Sequence, residues 1–449
     1  MKKYSWKFWA IFWASAAVLL VSFYFFLQPS RQSDSPEKEN KLSMGKKYSI
    51  ISGVVEYLLS GEREKTFLIL FQNNMEIRPG GGFIGSFGIL KINKGAVSDL
   101  QIHDTGYFDE RIPDSIKAPY PMEENLRVKY LKMRDSNFSP DFPTNAKMAE
   151  DFYYLGKGEE KFDGVAAITT NVLTSFLKVT GPVQLEGYPG TYTDDQAVLA
   201  LEYQVEKAFD EQGIARRERK SVMNLLAKEI IKKSKNLSFQ EKRLLFDVIL
   251  DDLSKKDIQL NFKDQKMQKI IKDSGWDGGL DTEWEKDYLM TVDANLGAWK
   301  SDYYVKRDLE YFIDLSQEVP KIKVRINYNH TALQRDYMTK DYFSYLRIYL
   351  PEGAWLLNKG DFPDIRFGKE KLIDGKERKY FGTIVRFPIN SKKTIEFDYI
   401  LPEKIAEDYV LKIQKQAGIN DEPVRIYFTG QNGEKKEYSG ILDSDLVWK

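Results

Sequence analysis

The chain has no cysteine and only two histidines, His103 and His330, among its 449 residues. Without cysteine there is no disulfide framework, no thiol nucleophile, no thiolate metal site and no lipid-modified cysteine anchor. Two histidines are too few for a histidine-rich zinc site and leave little scope for a Ser-His-Asp triad. Net charge is missing as well. Sixty-seven basic residues balance 67 acidic ones, so no global field draws the protein to nucleic acid or to an anionic surface. Any chemistry falls to carboxylates, arginines and backbone amides.

Long apolar runs are scarce too, with one exception. Residues 8–27 are 20 residues without a charge. At a rise of about 1.5 Å per residue they reach roughly 30 Å, the thickness of the hydrocarbon core. Trp6, Trp9, Trp13 and Tyr24 place amphipathic rings toward its ends. A cleaved signal peptide has a shorter apolar stretch and a small-x-small site after it. Here Gln28-Pro29-Ser30-Arg31 follows, which favours an uncleaved single-pass anchor. Lys2, Lys3 and Lys7 precede the run, and Arg31, Lys38 and Lys41 follow further out. The bias puts residues 1–7 in the cytoplasm as a stub and the remainder outside the cell membrane. Residues 28–47, with Pro29 and Pro36, read as a flexible tether with a root-mean-square span of about 25 Å.

The remaining 400 or so residues are enough for two or three domains. Helical spacing from Ile50 to Leu59 ends at Gly61. A continuous apolar run at 67–71 reads as a buried strand, and 83–92 with 97–102 as a hairpin turning at Asn93-Lys94-Gly95. The stretch 105–143 is irregular and holds five prolines. Next come a helix capped by Thr144 and ending near Gly156, a strand at 164–168, a helix at 172–179 and a strand at 183–185. A capping box at Thr193-Asp194-Asp195-Gln196 opens a helix, 215–233 reads as a basic helix, and Ser238 to Glu241 is a second capping box. Past residue 320 the period becomes two, as in 321–326, 345–350 and 394–399. The expected fold is an α/β ectodomain over 48–300 and an antiparallel, sandwich-like all-β domain over 301–449.

Four segments carry groups suited to chemistry. Asn73, Asn74, Glu76, Arg78 and the triplet Gly80-Gly81-Gly82 follow a buried strand. Free amides of successive glycines form an anion nest, and Arg78 adds a cationic fork. The same residues also suit a tight structural turn. His103 and Asp104 end a strand, where a carboxylate serves as a metal ligand, a base or a cap. Arg216, Arg217 and Arg219 cluster with Lys220, as a phosphate clamp or as a solvated face. Arg134, Asp135 and Asp141 line the long loop or pin it.

The segments FQNNMEIRPGGGFIGSFG, MRDSNFSPDFP, FDGVAAITTNVLTSFLKVTGPVQL and DANLGAWKSDYYVKRDLEY resemble the bacterial domain of unknown function DUF4012, which brings no established activity. The order of elements also resembles the LytR-CpsA-Psr family, anchored envelope enzymes that transfer glycopolymers from polyprenyl-pyrophosphate carriers to peptidoglycan. That likeness implies an α/β/α domain in which Arg78, Arg216, Arg217, Arg219 and the glycines hold a pyrophosphate. It implies that Asp104, with Arg78, is catalytic, and that Asp104 and Glu76 hold Mg2+. It implies a polyprenyl-pyrophosphate glycan and a cell-wall polymer as partners, and no nucleic acid. Two departures weigh against catalysis. Gly80 stands where that family has a carboxylate, and His103 where it has an arginine. A non-catalytic envelope binding protein is the alternative.

Overall fold

The computed structural model describes residues 44–449 apart from 61–62, 358–361, 363 and 407. The expected stub, anchor and tether up to residue 43 lie outside the described residues. Among the described residues no helix is long and apolar enough to cross a membrane. Helix α1 (Met44–Leu59) starts inside the span expected to be tether. Residues 55–449 form one compact unit.

Its N-terminal part is a mixed five-stranded sheet in the order β3-β2-β1-β4-β5. Strand β1 (Lys65–Asn73) is buried from Lys65 to Leu70, because helices and loops cover both faces. It pairs antiparallel with β2 (Phe83–Asn93), which pairs with β3 (Ala96–Asp104) through the expected hairpin. Lys94 and Gly95 both take positive φ there, 49° and 76°, as a two-residue turn with the right twist requires. Strand β4 (Gly164–Thr169) lies parallel to β1, and β5 (Ile258–Phe262) antiparallel to β4. On one face Leu68, Leu70 and Phe87 pack with Ala146, Ala149 and Phe152 of helix α2 (Phe142–Leu155).

Several boundaries differ from the sequence reading. Asp141, not Thr144, caps α2, accepting from the Thr144 amide at 3.0 Å. Residues 183–185 form only an isolated bridge, Val183 to Tyr192. They pack with α3 (Thr170–Thr180), α4 (Ala197–Tyr203) and α5 (Ser221–Lys235) in a separate small core. The Thr193 box does not cap α4, because the Thr193 hydroxyl turns to Asp195 at 2.6 Å. Helix α5 begins only at Ser221, so Arg216, Arg217 and Arg219 sit in turns before it. The Ser238–Glu241 capping box forms and opens α6 (Phe239–Ser254). Helix α7 (Gln265–Asp273) follows β5.

An all-β region follows the α/β part and starts ahead of residue 301. Strand β6 (Asp287–Asn295) already belongs to it. One six-stranded sheet runs β10 (Trp355–Leu356), β13 (Ser391–Ile400), β8 (Lys321–His330), β7 (Val305–Asp314), β15 (Pro423–Thr429), β16 (Lys435–Ile441). The other runs β11 (Arg366–Lys371), β12 (Glu377–Phe387), β9 (Tyr342–Tyr349), β6, β14 (Leu411–Ile413), β17 (Leu446–Trp448). The two share one core, in which Val324, Ile326 and Phe397 meet Leu346, Ile348 and Ile413. Strand β8 alternates buried and outward residues without a break, as its sequence period predicts. Two pairings are parallel rather than antiparallel, β6 with β14 and β7 with β15.

Candidate functional site

The register brings the carboxyl ends of β1, β3 and β4 to one edge of the first sheet. Asn73 lies opposite Phe83, Gln72 opposite both Ile84 and Thr169, and Ser86 opposite Asp104. All four sequence candidates gather at or behind this edge, but in two different chemical states.

The glycine-rich turn is closed by its own bonds. The Asn73 side-chain oxygen accepts from the Met75 amide at 3.0 Å, and the Glu76 carbonyl accepts from the Phe83 amide at 2.9 Å. The Gly80 amide donates to the Asn137 carbonyl at 3.0 Å, and the Gly81 amide to the Arg78 carbonyl at 2.9 Å. The Gly80 carbonyl accepts from the Gln259 side chain at 2.9 Å, and the Gly82 carbonyl from Asn137. Gly81 has φ +131°, and a Cβ there stands 2.0 Å from the Gln72 side chain. A Cβ on Gly82 stands 2.5 Å from the Asn73 backbone. The glycines are therefore required by close packing, and the amides of Gly80 and Gly81 are spent inside the protein. Of the two uses that the sequence left open for this segment, the bonds of Gly80 and Gly81 fit the tight structural turn.

Arg78 is 4 % exposed. Its guanidinium donates to Glu76 at 2.7 Å and to the Asn295 carbonyl of β6 at 2.8 Å. Burial raises the Asp135 carboxyl to about 6, opposed chiefly by the Arg78 charge. Asp141 accepts the Leu280 amide at 2.9 Å besides capping α2, and Arg134 pairs with the buried Asp109. Arg134, Asp135 and Asp141 thus pin the proline-containing loop. Asn74 donates to the Gly418 carbonyl at 3.1 Å and accepts from the Thr170 hydroxyl. With Arg78 buried against Glu76 and Asn295, the part first expected of it, gripping a pyrophosphate, does not fit its surroundings.

The open part of the edge is built on Asp104. Its carboxylate caps the short helix Thr105–Phe108, accepting from the Gly106 amide at 2.6 Å, and pairs with Lys220 at 2.9 Å. Lys220 also donates to the Gly85 carbonyl, and burial pulls its ammonium below the ordinary lysine range against the pull of Asp104. His103 stacks on Phe87 at 5.1 Å, and burial lowers its imidazole. Arg216 and Arg217 are exposed, and neither has a carboxylate partner among the described residues. Arg217 lies over the Tyr107 ring at 5.1 Å. Arg219 is bound to Glu206 at 3.2 Å. The structure thus joins Asp104, Lys220, Arg217 and Tyr107, and leaves Arg78 behind them. Lys220 was visible only as the last residue of a charge run. Glu202, which bonds Asn73 at 3.2 Å and Lys300 at 3.0 Å, gave no signal in the sequence.

Magnesium does not fit the residues expected to hold it. Asp104 is neutralised by Lys220, and Glu76 by Arg78. Among the described residues no three histidine, aspartate or glutamate side chains gather to hold a metal ion.

No curated protein matches the chain. Among solved structures, the X-ray structure of the Lin1025 protein from Listeria innocua is similar at 12 % identity, over 51 % of this chain and 86 % of its own. Its TM-score of 0.26 is too low to transfer fold or activity. Residues 62–205, which hold the glycine-rich turn and Asp104, match the family of proteins of unknown function DUF4012.

Proposed function

We propose that the chain is a membrane-anchored extracytoplasmic protein that binds phosphate-bearing, lipid-linked glycans of the cell envelope. Arg216 and Arg217 are the phosphate-binding groups in this reading. The observation that carries it is their state. They are exposed and, among the described residues, without carboxylate partners, a few residues ahead of the Lys220 that pairs with Asp104 where three strands end. The apolar run at 8–27 and its short tether supply the reason for a lipid-linked ligand. The paired β-sheets are the part assigned to cell-wall polymer. Binding is favoured over LytR-CpsA-Psr-like transfer, because Arg78, Gly80 and Gly81 are committed to the fold and Asp104 and Glu76 are paired with Lys220 and Arg78.

The test is titration of the full chain in detergent with a polyprenyl pyrophosphate. The double substitution Arg216→Ala with Arg217→Ala should weaken binding at least about tenfold, since even one charge-assisted hydrogen bond contributes about 1.5–3 kcal/mol. Chelation of divalent metal should leave the affinity unchanged. Absence of binding, or an unchanged affinity in the double variant, overturns the proposal.

A further inference from the structure

A cavity of about 340 Å³ lies just beyond the ends of β1 and β4, where residues of the all-β region roof them. We infer that it is a binding site for an uncharged or amino sugar unit, separate from the arginine-bearing turns. Crevices at the carboxyl ends of parallel strands are where open α/β sheets bind ligands. The volume is at the small end for ligand sites, suited to a sugar ring and not to a polyprenyl chain.

The charge of the lining selects against phosphate. Arg307 and Asp302 both border the cavity, but they are paired to each other at 2.6 Å, and Arg307 also to Asp293 at 3.0 Å. That leaves Asp194, Asp195 and Asp421 against Lys306. An excess of carboxylates repels an anion and admits a neutral or cationic ligand. The lining is also rich in acceptors. The Asn420 amide donates to Asp257 at 3.0 Å, while its side-chain oxygen is buried with no partner among the described residues. Such a lining calls for a ligand that brings its own donors, as hydroxyl and ammonium groups do. Tyr303, 44 % exposed at the cavity wall, adds a flat apolar surface for the C–H face of a sugar ring. This site stands whether or not Arg216 and Arg217 bind a phosphate.

The experiment titrates the full chain, in a detergent without a sugar head group, with glucosamine, glucose and glucuronic acid, followed by ligand-observed NMR. Glucosamine and glucose should bind in the millimolar range, and glucuronic acid at least about tenfold more weakly than glucosamine. Asp194→Asn with Asp421→Asn should erase the preference for glucosamine. Tyr303→Ala, at an exposed ring, should weaken glucosamine and glucose alike. Arg216→Ala with Arg217→Ala should change none of these affinities, which separates this site from the phosphate-binding turns. No binding of either sugar, equal binding of glucuronic acid, or insensitivity to both cavity variants overturns the inference.

Discussion

Replacing Arg78 by alanine separates a residue that holds the fold from one that holds a ligand. In the native chain both members of the Arg78–Glu76 pair are nearly inaccessible, with side chains 5 % and 8 % exposed at 2.7 Å. Removing the arginine leaves Glu76 charged and buried without its partner, which costs about 3–5 kcal/mol in such settings. The Asn295 carbonyl loses a donor at 2.8 Å, roughly another 1 kcal/mol. The nearby Asp135 carboxylate loses its main compensating charge. The sum, about 4–6 kcal/mol, is a large share of the 5–15 kcal/mol that holds a typical domain together. Urea unfolding of the full chain, read by the fluorescence of its eight tryptophans, should show the loss as a lower midpoint. Glu76→Leu with Arg78→Met removes both charges and should recover most of it. A loss under about 1 kcal/mol for Arg78→Ala, or a double variant no better than the single, refutes the assignment. Arg78 would then be free to bind.

Two further outcomes follow from the same geometry. Gly82→Ala puts a methyl group 2.5 Å from the Asn73 backbone, which has no flexible side chain to give way. It should lower the thermal midpoint more than Gly297→Ala, a loop glycine without positive φ where the nearest atom to a new Cβ stands at 3.4 Å. Burial raises Glu422 to about 7, with the Arg307 charge opposing and Asp293 reinforcing. The folded chain therefore holds a proton there that the unfolded chain releases near the ordinary carboxyl range. The stability from neutral Glu422 is complete below that range and is lost as pH rises to about 7. Glu422→Gln should be more stable than the parent at pH 8, by roughly 3 kcal/mol at most, and no more stable at pH 4. Denaturant midpoints at the two pH values check this, and an equal effect at both contradicts it.

Local sequence showed the strands and missed the commitments between them. The run at 67–71, the Lys94-Gly95 turn and the alternation at 321–326 each specify their element from within, so strands β1, β2, β3 and β8 were legible. The Thr144 cap was misplaced because Asp141, three residues earlier, has the same capping chemistry and also reaches Leu280. The basic run at 215–220 has helical composition, but it is held in turns, where Arg219 pairs with Glu206 and Lys220 with Asp104. The glycine-rich segment was recognised as special, but the sequence did not choose between a phosphate nest and a tight structural turn. The groups that consume it, Asn137, Gln259, Asn295 and Gln416, lie some 60 to 340 residues away, and nothing local announces them.

That distance has a kinetic side. The Gln416 side chain donates to the Arg78 carbonyl at 3.2 Å, and the Gly418 carbonyl receives Asn74. The first strand's turn is therefore finished only by residues some 340 positions further along the chain. Contacts of such sequence separation slow folding, because their loop-closure entropy must be met before they contribute anything. The segment matched by the family is one half of a lock whose other half lies some 340 residues further along the chain.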